Sequence, residues 1–133
     1  MVSETRADTS AGTKVLVIDD SNTIRRSAEI FLKQGGYDVV LAEDGFDALS
    51  KVNDHDPQLI FCDILMPRLD GYQTCAIIKR STRFAGVPVI MLSSKDGLFD
   101  KARGRMVGSE DYLTKPFTKD QLLQAVEQHR RAA

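Results

Sequence analysis

Three acids, a hydroxyl and an amine stand where apolar runs of this chain end. Val15-Leu16-Val17-Ile18 runs into Asp19-Asp20, Leu59-Ile60-Phe61-Cys62 into Asp63, Val89-Ile90-Met91-Leu92 into Ser93-Ser94, and the shorter Tyr112-Leu113 into Thr114-Lys115-Pro116. Each run has the composition of a buried strand bounded by turn residues. Singly these polar residues are ordinary: an Asp pair favoured by a helix dipole, an Asp opening a turn, a capping Ser, a solvated Lys. Gathered at one edge they would make a pocket. Three carboxylates within a few Å repel by about 4 kcal/mol per pair at 4 Å and an effective dielectric of about 20. A divalent cation relieves that repulsion, and all-oxygen ligation suits Mg²⁺, which typically also holds phosphate oxygens. A carboxylate is also a nucleophile toward phosphorus, giving an aspartyl phosphate. The cation and the Lys115 ammonium would neutralise the oxygens of the transferred group. The Ser93 hydroxyl could bond one of them, turning charge gained at Asp63 into movement at Ser93.

The elements that must carry these residues alternate along the chain. Residues 1–13 are small and polar and read as a flexible tail; the domain spans 14–131. After the first strand, Ser21 caps a helix with Ile24, Ala28, Phe31 and Leu32 on one face, stopped by Gly35-Gly36. A strand over Tyr37 to Leu41 precedes a helix with Gly45, Ala48, Leu49 and Val52 inward. The strand ending at Asp63 leads through Pro67 to a helix from about Asp70-Gly71 to Lys79-Arg80. Pro88 introduces the fourth strand, a helix runs from about Gly97 to Val107, and a short strand covers Asp111 to Thr114. Thr118 with Gln121 fits a capping box for the last helix, with Leu122, Ala125, Val126 and His129 inward. Five strands alternating with five helices predict an α/β fold, a doubly wound parallel sheet covered on both faces. Ligands of such sheets bind beyond the carboxyl ends of the strands, where the order reverses. With the flavodoxin-like order 2-1-3-4-5, that point separates the first strand from the third, and Asp19-Asp20 faces Asp63.

Composition removes other classes. A chain of 133 residues is one domain by size, with 42% apolar and 28% charged residues. A net charge of -1 argues against a dominant nucleic-acid surface. No apolar run reaches the roughly 18 residues of a membrane span, and Met1-Val2-Ser3-Glu4-Thr5-Arg6 lacks the apolar stretch expected of a secretory signal. Cys62 and Cys75 are expected to be reduced packing residues, and the default location is the cytoplasm. His55 and His129 read as surface or helix residues, and Arg130-Arg131 as a solvated helix end.

Val17-Ile18-Asp19-Asp20-Ser21, Asp63-Ile64-Leu65-Met66-Pro67, Asp70-Gly71, Met91-Leu92-Ser93-Ser94 and Lys115-Pro116-Phe117 together resemble the receiver domain of two-component response regulators, the CheY-like superfamily. Residues 66–75 and 93–101 are similar to the stand-alone, chemotaxis-like regulators of type IV pilus twitching motility. The resemblance implies that Asp63 accepts a phosphoryl group from a CheA-like histidine kinase. It implies Mg²⁺ held by Asp20 and Asp63, by Asp19 through water and by the backbone carbonyl of Leu65. Ser93 and Lys115 match the catalytic and switch hydroxyl and lysine, with Lys115-Pro116 cis, and Tyr112 matches the aromatic that turns inward with Ser93. The output is then a face made by the fourth helix, fifth strand and fifth helix, binding a motility or pilus-control protein. The expected state is a monomer whose only catalysis is its own phosphorylation and dephosphorylation.

Rival readings are distinct in kind. A phosphohydrolase of the haloacid dehalogenase type also uses an aspartyl phosphate, but places its nucleophile in a D-x-D on the first strand, whereas here the acids are adjacent. A phosphate-independent interaction module would treat the acid cluster as a relic and predicts losses among the key positions; none is lost. A general phosphorelay shuttle differs only in its target. After Lys115 one helix remains, so the signal is expected to leave by protein binding. Leu65 and Lys95, two residues after the acceptor and the switch hydroxyl, are expected to tune the lifetime of the phosphoryl group.

Overall fold

A computed structural model describes residues 12–94 and 98–130, with side chains at 98 and 99 left aside. Most of the expected tail, Lys95, Gly97 and Arg131 lie outside the described residues. Ten elements alternate: β1 (Lys14–Ile18), α1 (Asn22–Gln34), β2 (Asp38–Ala42), α2 (Gly45–His55), β3 (Leu59–Asp63), α3 (Gly71–Arg80), β4 (Val89–Ser93), α4 (Leu98–Met106), β5 (Asp111–Thr114) and α5 (Lys119–His129). The strands form one parallel sheet in the order β2-β1-β3-β4-β5.

The two-residue period of a strand sorts the sheet's apolar side chains onto two faces. Val15, Val17, Leu59, Phe61, Ile90 and Leu92 join Ala28 and Leu32 of α1 and Leu122, Ala125 and Val126 of α5. Leu16, Ile18, Ile60, Cys62, Val89 and Met91 meet Ala48 and Val52 of α2 and Tyr72, Cys75 and Ile78 of α3. Burial on both faces explains why the strands read as unbroken apolar runs. Cys62 and Cys75 are free and buried.

Helix starts follow side-chain chemistry. Ser21, Asp44, Asp70 and Thr118 each accept a hydrogen bond from a first-turn backbone N–H, and Asp70–Gln73 and Thr118–Gln121 form reciprocal capping boxes. Two expected boundaries shift. The second strand starts at Asp38, because the Tyr37 N–H closes back onto Leu32 O at 3.1 Å and belongs to the end of α1. The fourth helix ends at Met106, where the Val107 N–H bonds Gly104 O in a tighter turn. His129 sits at the edge rather than within the apolar face, its Nε2 2.6 Å from Asp111 Oδ2.

Candidate functional site

The acids converge because β1 and β3 are neighbours in register. Ile18 pairs with Cys62, so the next residue of each strand, Asp19 and Asp63, emerges at the same edge. One oxygen from each of Asp19, Asp20 and Asp63 lies within 4.8 Å of the others. Asp19 is fully buried and Asp63 nearly so, whereas Asp20 is exposed. The Asp19 N–H bonds Ala42 O at 3.1 Å, and Asp19 Oδ1 accepts from the Ser21 N–H at 2.9 Å, fixing the first carboxylate from β2 and from the start of α1.

Lys115 enters from the end of β5, two strands beyond β3. Its N–H bonds Ser93 O at 2.7 Å, extending the β4–β5 ladder by one step. Its Nζ then lies 3.0 Å from both Asp19 Oδ2 and Asp63 Oδ1. The Lys115–Pro116 bond is cis. Burial pushes the Asp63 carboxyl up to about 6; the Lys115 hydrogen bond opposes this, while the charge of Asp19 adds to it. Burial works to lower the Lys115 pKa, but its bonds to Asp63 and Asp19 and their charges outweigh it, holding lysine above its ordinary value.

When all three acids are ionised, one ammonium against three carboxylates leaves two negative charges uncompensated in a largely buried place. An all-oxygen donor set with excess negative charge fits a hard divalent cation such as Mg²⁺ and not a soft metal. Leu65, 69% exposed, stands beside this cluster and donates its N–H to Asp63 Oδ1 at 3.3 Å.

Ser93 and Tyr112 are carried by β4 and β5, the two strands beyond β3. The buried Ser93 directs its hydroxyl to Asp100 Oδ2 at 3.1 Å. Tyr112 is half-buried, with Lys101 Nζ 5.7 Å from its ring centre. Two roles escaped the sequence reading. Gly71 marks a helix start and is part of the receiver-like motif set, but its packing role has no sequence signal: a Cβ there would lie 2.1 Å from the Asp63 carbonyl oxygen, so α3 approaches the acceptor strand at a distance that only glycine permits. Asp100 lies within the 93–101 segment without a role of its own, because nothing local marks its bond to a strand end.

The chain matches the response regulator receiver domain over residues 15–127. It is 66% identical over 120 residues to the protein PilG of Pseudomonas aeruginosa, covering 90% of this chain and 89% of that protein. It is 40% identical over 105 residues to the alkaline phosphatase synthesis transcriptional regulatory protein PhoP of Bacillus subtilis, covering 79% of this chain and 43% of that one. Among solved structures, chemotaxis protein CheY4 of Vibrio cholerae superposes with a TM-score of 0.85 at 31% identity, covering 88% of this chain and 98% of that chain. The receiver domain of the Francisella response regulator 1452 does so with a TM-score of 0.80 at 37% identity, covering 87% and 94%. With its alternating fold, its acid cluster and these relatives, the chain belongs to the response regulator receiver domain family.

Proposed function

We propose that Asp63 is the phosphoacceptor of a two-component phosphorelay and that its phosphorylation depends on Mg²⁺. The observation that carries this reading is the convergence of three carboxylates within 4.8 Å, with Lys115 Nζ 3.0 Å from two of them. Asp20 and Asp63 would hold the ion directly, Asp19 through water, and Leu65 through its carbonyl. The ion supplies positive charge that offsets the repulsion within the cluster and the oxygens of an incoming phosphoryl group. Lys115 orients Asp63 and adds a second positive charge beside it. Asp63 attacks as the carboxylate, and the bound ion would favour that form against the upward push of burial on its carboxyl.

Ser93 is the hydroxyl that senses the phosphoryl group, and Tyr112 with Lys115 completes the switch. The donor is a CheA-like histidine kinase in the cytoplasm, and the output is a protein contact made by α4, β5 and α5. Two short segments and the 66% identity to PilG support type IV pilus twitching motility as the process controlled. Treatment with acetyl phosphate and Mg²⁺ should add one phosphoryl group, seen by intact-protein mass spectrometry. Asp63→Ala should abolish it; persistence of the adduct in that variant would remove Asp63 as acceptor. Leu65, exposed beside the acceptor, offers an attacking water no polar partner. Leu65→Asn should therefore speed decay of the adduct, and an unchanged or slower decay would end that role.

A further inference from the structure

Asp100 joins three elements that the acid cluster does not itself connect. It stands in the first turn of α4 and accepts the Ser93 hydroxyl, at the end of β4, on Oδ2 at 3.1 Å. The Tyr72 hydroxyl, from α3, lies 3.3 Å from its Oδ1 and 3.4 Å from its backbone oxygen. Tyr72 is itself fixed: it is buried in the core, and the Arg103 guanidinium lies 4.5 Å from its ring centre. Burial, with the charge and hydrogen bond of Asp100, pushes the Tyr72 phenol up to about 12, so it remains a donor throughout the physiological range. Among the residues of α4 with described side chains only Gly104 is buried.

A hydroxyl has one proton to donate. Ser93 can therefore give it to Asp100 or to an oxygen arriving on Asp63, not to both at once. We propose that Asp100 is a latch on Ser93: it holds the switch hydroxyl, and with it the first turn of α4, in the unphosphorylated arrangement, and is released when the phosphoryl group takes the proton. The latch rests on the reading of Ser93 as the sensing hydroxyl. Asp100 is a positioning residue, since it touches neither the acceptor nor the cation ligands. Its effect is to oppose activation: the acceptor site must outcompete a charge-assisted hydrogen bond before α4 is freed.

Beryllofluoride with Mg²⁺ serves as the probe, followed by amide NMR shifts because the chain has no tryptophan. Asp100→Ala should bind it about tenfold more tightly than wild type, as expected for loss of a competing bond to a charged acceptor. Asp100→Asn keeps the shape and an acceptor oxygen without the charge, and should fall between the two. In a Ser93→Ala background, where no hydroxyl can be held, Asp100→Ala should change nothing. Weaker binding by both Asp100 variants, or an equal effect in the Ser93→Ala background, would show a merely structural role and overturn the latch. Failure of wild type to bind the probe would instead remove the phosphoacceptor reading, and the latch with it.

Discussion

The two halves of the carboxyl edge are held with unequal firmness. On one side every residue of β3 is buried, as are four of the five in β1, and these strands deliver Asp63 and Asp19. On the other side all four residues of β5 are half-exposed, and among the residues of α4 with described side chains only Gly104 is buried. The acids that would hold a cation stand on the firm side. The partner of Ser93 and the aromatic Tyr112 stand on the loose one. Groups that must keep a fixed geometry belong on a packed scaffold, whereas elements that respond are drawn from the low-stability end of a fold.

The largest expected effect tests that contrast directly. Phe61 is fully buried in the middle of β3, and Phe61→Ala should cost about 3–5 kcal/mol, read as a shifted urea midpoint. Tyr112→Ala, on the half-buried β5, should cost about 1–2 kcal/mol. Equal losses would mean that the two sides are packed alike.

The firm side was also the legible one. A strand buried on both faces announces itself as an apolar run such as Leu59-Ile60-Phe61-Cys62, and a parallel sheet then places each run's terminal residue at one edge. That is why Asp19, Asp20 and Asp63 could be named together from spacing, while Lys115, beyond the half-exposed β5, rests on the shorter run Tyr112-Leu113. Caps were legible for the same local reason: Thr118 and Gln121 are three residues apart. What could not be read are contacts between distant elements whose partners have no sequence signature. Asp100 with Tyr72 spans 28 residues. The hydrogen bond from the Tyr37 hydroxyl to Glu127 spans 90. The need for glycine at position 71 arises from the backbone of Asp63 and Ile64 folding against it.

Electrostatics sharpen the comparison next. The Asp63 carboxyl is raised from 3.8 to about 6 on folding, so the folded chain binds its proton more tightly than the unfolded chain does. The stability this contributes is complete below about pH 4 and is lost as pH rises through about 6. At pH 7.5 the ionised group therefore opposes folding, and Asp63→Asn should stabilise the protein by roughly 1–3 kcal/mol. The gain should shrink at pH 4.5 and also on adding millimolar Mg²⁺, which would stabilise wild type by binding the folded state. Thermal unfolding at the two pH values checks this. The Phe61→Ala loss has no titrating group behind it and should be nearly the same at both. An Asp63→Asn gain that ignores pH would mean that charge repulsion is not what burdens the pocket.

A smaller effect is expected at the start of α5. The Thr118 hydroxyl accepts the Gln121 N–H at 3.1 Å while Gln121 Oε1 accepts the Thr118 N–H at 2.9 Å. Thr118→Ala leaves one first-turn donor to water, and should cost about 1 kcal/mol in urea unfolding.

The smallest effect is the most direct check on the loose side. Met106 ends α4 and is 85% exposed, so its side chain gains almost nothing from the fold and has little to lose on substitution. Glutamine has a similar helix propensity and length. Met106→Gln should therefore leave the unfolding free energy within about 0.5 kcal/mol of wild type. A loss above about 1 kcal/mol would mean that α4 packs this side chain against the domain in solution. A helix so anchored could not be governed by the contacts of Asp100, and the division between a firm acid-bearing half and a lightly held responding half would fail at its weakest point.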